Sequence, residues 1–375
     1  MKSMQLLWRV TRFSLRSKAT TPRYVSSGIL AFILLAGLAF LGACGSSSSS
    51  SSSRLAYIAA GQNVYAYRIK SAGAATAIIG SPFLAGVSPA SVVVHPSDKF
   101  AYVTNQGENT VSLLKIDSNS GALTEVLPRA QTGISPVTAV MDSGGSFLFV
   151  ANQGSNNISV FSVGASGGLS QVSGSPFAVG SSPSGITLAQ SGNFLFVPVP
   201  NFSAIYAFGV TSGSLTPVAG SPFTVNGGIS TLATDPNGKF LFVPNPTTNT
   251  VTVLTISSGA LSSGPGAFGT GTTPVAVITD PTGSHLYVAN FGSSNVSQFT
   301  VDSTNGALTA FTTSVVSAGT HPVFEALDTT GKFLFVGNQG SSSITEFSFN
   351  TDGSLASNGN SIQLTVPPRS IAFTK

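Results

Sequence analysis

The sequence predicts an all-β fold, a seven-bladed β-propeller of four-stranded antiparallel blades, and three observations carry that reading. A motif of the form Phe-Leu-Phe-Val-x-Asn recurs as Phe100–Asn105, Phe147–Asn152, Phe240–Asn245 and Phe333–Asn338, and Phe194-Leu-Phe-Val197, His285–Asn290 and Leu55-Ala-Tyr-Ile58 complete seven copies. Their second aromatics, Tyr57, Tyr102, Phe149, Phe196, Phe242, Tyr287 and Phe335, lie 45 to 48 residues apart. A period in the mid-forties with several short strands per repeat is the signature of propeller blades. The third observation is at the chain ends. A seventh inner strand, Pro368–Phe373, stands alone at the C-terminus, and the first repeat begins at Leu55 with no inner strand before it.

The second repeat shows how each element follows from residue type. Residues 90–94 are an apolar run interrupted only by Ser91, suited to an inner strand buried on both faces. His95-Pro96-Ser97-Asp98 turns the chain, as Asp235-Pro-Asn-Gly238 and Asp280-Pro-Thr-Gly283 do elsewhere. Residues 100–104 form the second strand, Asn105-Gln106-Gly107 reverses it, and Thr110–Ile116 is the third. A turn at Asp117-Ser-Asn-Ser-Gly121 leads to the outermost strand around residues 123–127. Six inner strands start near Pro89, Pro136, Pro183, Gly228, Pro274 and Pro322. Joining the lone C-terminal strand to the first repeat completes a blade from both termini and hides the edges that an open stack would expose.

Over residues 55–375 the pattern resembles the lactonase-like propellers, including the group named for Tyr-Val-Thr-Asn repeats, a tetrapeptide that Tyr102-Val103-Thr104-Asn105 carries outright. The resemblance implies the 6-phosphogluconolactonase-like fold and activity at the mouth of the central channel. It also implies Arg, His and acidic side chains near inner strands that often begin Pro-Arg-His. Here the residue after the Pro (or Gly228) is Ala90, Val137, Ser184, Ile229, Val275, Val323 and Arg369; Pro368-Arg369 matches, with Ser370 in place of the histidine. Several cationic groups for a phosphorylated lactone are therefore missing.

Only 28 of 375 residues are charged, so Ser, Thr, Asn and Gly make the polar surface. The net charge of +4 comes from the first 23 residues, with six bases and no acid; from Cys44 onward 10 bases face 12 acids. That balance argues against a nucleic-acid partner. After the bases come an apolar run over residues 29–40 and Leu41-Gly42-Ala43-Cys44, the order of an export signal. Cys44 is the sole cysteine, and Leu-Gly-Ala-Cys resembles the lipobox of bacterial lipoproteins. The expected organisation is a signal peptide over 1–43, a lipidated Cys44 with a serine-rich tether to 54, and the propeller from 55 to 375. An uncleaved membrane anchor is the alternative. Either way the domain is expected outside the cytoplasm, held at a membrane and monomeric.

One cluster of ionisable residues stands out. His321 precedes its inner-strand proline, and Glu325 occupies a place that is Val92, Ala139, Ile186 or Val277 elsewhere. Ring closure puts that strand beside the one bearing Arg369. The three are candidate catalytic or anion-binding groups, and the competing reading is a Glu325–Arg369 salt bridge stapling the closure seam. Gly164-Ala-Ser166-Gly-Gly168 fits a hydrolase elbow only in spelling, because it fills a hairpin slot. The Asp117 and Asp302 turns lack the bidentate Glu of a calcium loop. His95 and His285 do not complete a three-histidine site, so no metal or cofactor is expected. The leading expectation is a binding module for glycans, wall polymers or a partner protein; a lactone hydrolase at the seam is the alternative, and a structural spacer the third class.

Overall fold

A computed structural model describes residues 53–375; the export segment and Cys44 lie outside the described residues. Seven antiparallel sheets follow one another along the chain: blade 1 from residues 54–84 with 368–373, then blades 2 to 7 over 89–131, 136–178, 187–224, 233–269, 274–317 and 322–363. The closure is as the sequence predicts. Pro368–Phe373 pairs antiparallel with Arg54–Ala60, from Ala56 opposite Phe373 to Ala60 opposite Pro368.

Residue type explains why the repeat looks as it does. The second aromatic of every copy is 0–1% exposed and fills the layer between two blades, where truncation to alanine would cost about 3–5 kcal/mol. The first position packs forward onto a glycine in the outer hairpin of the next blade. A Cβ on Gly167, whose φ is +84°, would lie 2.8 Å from the ring of Phe100. Leu55, Phe147, Phe194, Phe240 and His285 meet the equivalent glycines in the same way. Where the second aromatic is tyrosine, its hydroxyl adds a bond across the same joint, from Tyr57 to Gly121 O, Tyr102 to Gly167 O and Tyr287 to Gly353 O. The recurrent asparagine is a buried brace. Its Nδ2 donates to a hydroxyl seven residues on, from Asn105 to Ser112 at 3.0 Å and likewise in four other blades.

The inner strands of blades 4 and 5 differ from expectation. They shrink to Thr187–Leu188 and Ala233–Thr234, although their runs begin near Pro183 and Gly228. Pro198 and Pro244 are the reason. They stand where Thr104, Ala151, Ala289 and Gly337 face the inner strands of other blades, and proline has no N–H to give the ladder. Hydroxyls join the frayed ends to the following blade instead: Ser184 Oγ donates to Ser230 O, and Ser230 Oγ to Val275 O.

Candidate functional site

The inner strands begin at one rim, here called upper. There, in four blades, the residue after the recurrent asparagine donates its N–H to the carbonyl of the residue before the inner-strand proline: Gln106 to Ser88, Gln153 to Ser135, Phe291 to Thr273 and Gln339 to His321, at 2.9–3.0 Å. These ties fix which side chains surround the channel mouth. A cavity of about 670 Å³ opens between blades 7, 1, 2 and 3. Ala90, Val137, Val323 and Pro368 form its apolar parts; Gln62, Gln106, Gln339, Ser88 and Arg369 supply the polar ones.

Arg369 is the one charged side chain among the lining residues. It is exposed, and its Nη1 donates to Gln106 Oε1 at 2.8 Å. The next residue, Ser370, turns the other way and accepts the Val92 N–H with its Oγ at 2.8 Å, tying blade 1 to blade 2. A guanidinium with neutral amides around it can orient a carbonyl or carboxylate while the amides serve hydroxyl groups as donors and acceptors.

His321 stands at the same rim, in the place that Ser88 takes in blade 2. Its φ of +54° matches those of Ser88, Ser135 and Thr273, so the backbone is shared and the imidazole is the novelty. The ring stacks on Phe291 of blade 6, with centroids 4.4 Å apart and planes 11° from parallel.

Glu325 is not brought to Arg369. Side chains on Pro322–Leu327 alternate between two faces. Phe324 and Ala326 pack toward blade 1 with Ile371 and Phe373, while Leu327 joins the layer facing blade 6. Glu325 shares the parity of Leu327 and points to blade 6, where the Ala289 N–H approaches it without meeting hydrogen-bond geometry. The residue as a whole is half-buried, yet both carboxyl oxygens are sealed and have no hydrogen-bond partner. Burial pushes its pKa well above the carboxylate range and favours the protonated form.

The expected Glu325–Arg369 staple is therefore absent, but the seam does carry an ion pair. Arg54 of blade 1 meets Asp328 of blade 7 at 2.6 Å, with side chains 5% and 0% exposed. Asp328 Oδ1 also accepts the N–H groups of Lys332 and Phe333, and its Oδ2 takes the Thr330 hydroxyl. Sequence reasoning passed over Arg54 because it directly follows the serine run, and Asp328 because aspartate recurs at that turn in other blades. It also passed over the glutamines of the mouth, whose signal is the recurrent Asn-Gln-Gly at 105–107, 152–154 and 338–340.

The remaining motifs are architectural. Tyr102 binds Gly167 O, so the Gly164 to Gly168 turn is an interblade joint. Asp117 Oδ1 is occupied by Asn119 N, Ser120 N and Ser120 Oγ within its own hairpin. His285 replaces a ring that packs on Gly353 and lies 3.3 Å from Asp280. His95 Nε2 meets Gly145 O. In each Gly-Ser-Pro-Phe segment the serine oxygen accepts a backbone N–H from the third strand, Ser81 from Ala66, Ser175 from Val160 and Ser221 from Ala207. Among the described residues no group of three His, Cys, Asp or Glu is placed to hold a metal ion.

Fold and mouth define a closed seven-bladed propeller with a polar, singly charged recess at its upper channel mouth. The chain belongs to the family described as lactonase, 7-bladed beta-propeller, which it matches over residues 62–183, 210–323 and 259–373. Among solved structures, a provisional 6-phosphogluconolactonase of Bacteroides fragilis is 21% identical, with a TM-score of 0.75 over 88% of this chain and 99% of that one. The periplasmic gluconolactonase of Pseudomonas aeruginosa is 20% identical, with a TM-score of 0.69 over 86% and 99%. At such identity the likeness establishes the fold. No curated protein matches the sequence.

Proposed function

We propose that the protein is a lactonase-type hydrolase acting at the upper channel mouth on unphosphorylated, hydroxylated lactones. The observation that carries this reading is the exposed Arg369 guanidinium in a recess otherwise lined by amides, a hydroxyl and apolar groups. Arg369 donates to the lactone carbonyl and stabilises the oxyanion that forms when water adds to the acyl carbon. Among the described residues no basic group for the attacking water lines the recess, so that water gives its proton to solvent. The ring oxygen takes one from solvent as the acyl–oxygen bond breaks, leaving a hydroxy acid. His321 stands at the same rim but outside the lining residues, stacked on Phe291. Glu325 takes no part as a base, because its carboxyl is buried away from the mouth. One guanidinium suits a substrate without a phosphate, in line with the gluconolactone that names the Pseudomonas protein.

The test is a panel of sugar lactones, glucono-1,5-lactone and its 6-phosphate included, assayed with wild type and Arg369→Met. Losing one oxyanion donor should lower kcat/KM by about 100-fold. A wild-type rate no greater than that of buffer, or an Arg369→Met rate equal to wild type, overturns the assignment. A second reading, binding without turnover, draws on the absence of carboxylate and imidazole groups from the cavity lining; calorimetry showing sugar binding in a protein without lactone turnover would favour it.

Export and anchoring through Cys44 belong to the same proposal. The bases, the apolar run and the lone cysteine after Leu-Gly-Ala support it. Mass spectrometry of the membrane fraction should find a lipidated N-terminal Cys44 peptide, and a mature chain that keeps residues 1–43 would refute it.

A further inference from the structure

We propose that Gln106 is the positioning residue of the mouth: its side chain holds the Arg369 guanidinium toward the cavity and keeps the site's single positive charge available to the ligand. The inference rests on the hydrolase reading above. Gln106 is held at three points. Its backbone N–H donates to Ser88 O at 3.0 Å. Its side-chain Nε2 donates to Ser135 Oγ at 3.1 Å, and its Oε1 accepts from Arg369 Nη1 at 2.8 Å. One amide thus spans blades 1, 2 and 3.

An exposed arginine has several free torsions, and a charge-assisted bond to an acceptor that is itself anchored removes much of that freedom. The acceptor's neutrality matters equally. An amide oxygen orients the guanidinium without cancelling its charge and leaves Nη2 and Nε for a carbonyl or carboxylate, whereas a carboxylate at position 106 would form an ion pair and occupy the cation. Position in the repeat alone does not explain the contact. Gln153 and Gln339 stand in the same Asn-Gln-Gly setting in blades 3 and 7, and the Arg369 guanidinium bonds to neither.

Gln106→Leu, Gln106→Glu and Gln153→Leu separate these effects in glucono-1,5-lactone kinetics, read beside 15N NMR of arginine side chains. Gln106→Leu should lower kcat about tenfold with KM nearly unchanged, the size of effect a charge-assisted hydrogen bond supports. Gln106→Glu should fall to the level of Arg369→Met, and Gln153→Leu should keep wild-type constants. Rotation about the Arg369 Nε–Cζ bond should be slow in wild type and faster in Gln106→Leu. Equal rotation in the two proteins overturns the positioning role, as does an equal kinetic loss in Gln106→Leu and Gln153→Leu. If wild type hydrolyses no lactone, the hydrolase reading fails on its own, while the rotation measurement still decides whether Gln106 fixes Arg369.

Discussion

Arg54→Met is expected to destabilise the whole ring by about 3 kcal/mol, measured by urea or thermal unfolding. The substitution removes the partner of a fully buried carboxylate at the seam where the two ends of the chain meet. Asp328 would keep two backbone donors on Oδ1, but its Oδ2 would be left with the Thr330 hydroxyl alone. Asp235 makes a useful comparison. It is also buried, and three backbone N–H groups divided between both of its oxygens satisfy it without any guanidinium. The penalty at Asp328 therefore reflects the lost partner on Oδ2, and not burial as such. Adding Asp328→Asn to Arg54→Met keeps the turn acceptor and removes the charge, so the double variant should recover most of the loss. The pair itself is far from ideal, because Arg54 Nε and Nη2 are buried without partners. A loss below about 1 kcal/mol in the single variant, the range of an exposed pair, would mean that the ion pair does not hold the seam.

The seam shows which parts of this protein could be read from its sequence. Blade number, blade limits and closure were legible because they repeat: every copy of the aromatic, the asparagine and the turn glycine reports the same joint. The seam pair occurs once, so periodicity gave no signal for it. Arg54 lies just before the first recognisable copy, and Asp328 wears the disguise of a common turn residue. Glu325 is more instructive, since the clue was present. It replaces Val92, Ala139, Ile186 and Val277, all of which are buried between blades. Adjacency of two inner strands suggested a contact with Arg369, while the two-residue alternation of a strand already required Glu325 to face the other neighbour. The short inner strands of blades 4 and 5 were likewise encoded, in the prolines of the strands that should pair with them.

Glu325→Leu is expected to raise stability by about 1–3 kcal/mol at acidic pH, where the carboxyl is neutral in both states and the cost is that of burying a polar group without a hydrogen bond, and by more near pH 7. Leucine is close to the valine and isoleucine that fill this place in other blades and brings no group that needs a partner. The gain should depend on pH, and the direction follows from linkage. Burial raises the pKa of Glu325 in the folded protein above that of the unfolded chain, about 4.3. Below that value both states hold the proton and the group contributes no slope. Above it the folded state keeps a proton that the unfolded state has released, so wild-type stability falls by up to about 1.4 kcal/mol per pH unit until the folded carboxyl itself ionises. Glu346, buried at the seam and also raised, contributes a slope of the same sign in every variant; the difference between wild type and variant isolates Glu325. Glu325→Gln separates charge from polarity, because it cannot ionise yet still buries an amide without partners. Melting temperatures at pH 4.5, 6 and 8 should show the advantage of Glu325→Leu widening as pH rises, with Glu325→Gln parallel to it but lower. A Glu325→Gln protein with the same pH slope as wild type would place the ionising group elsewhere.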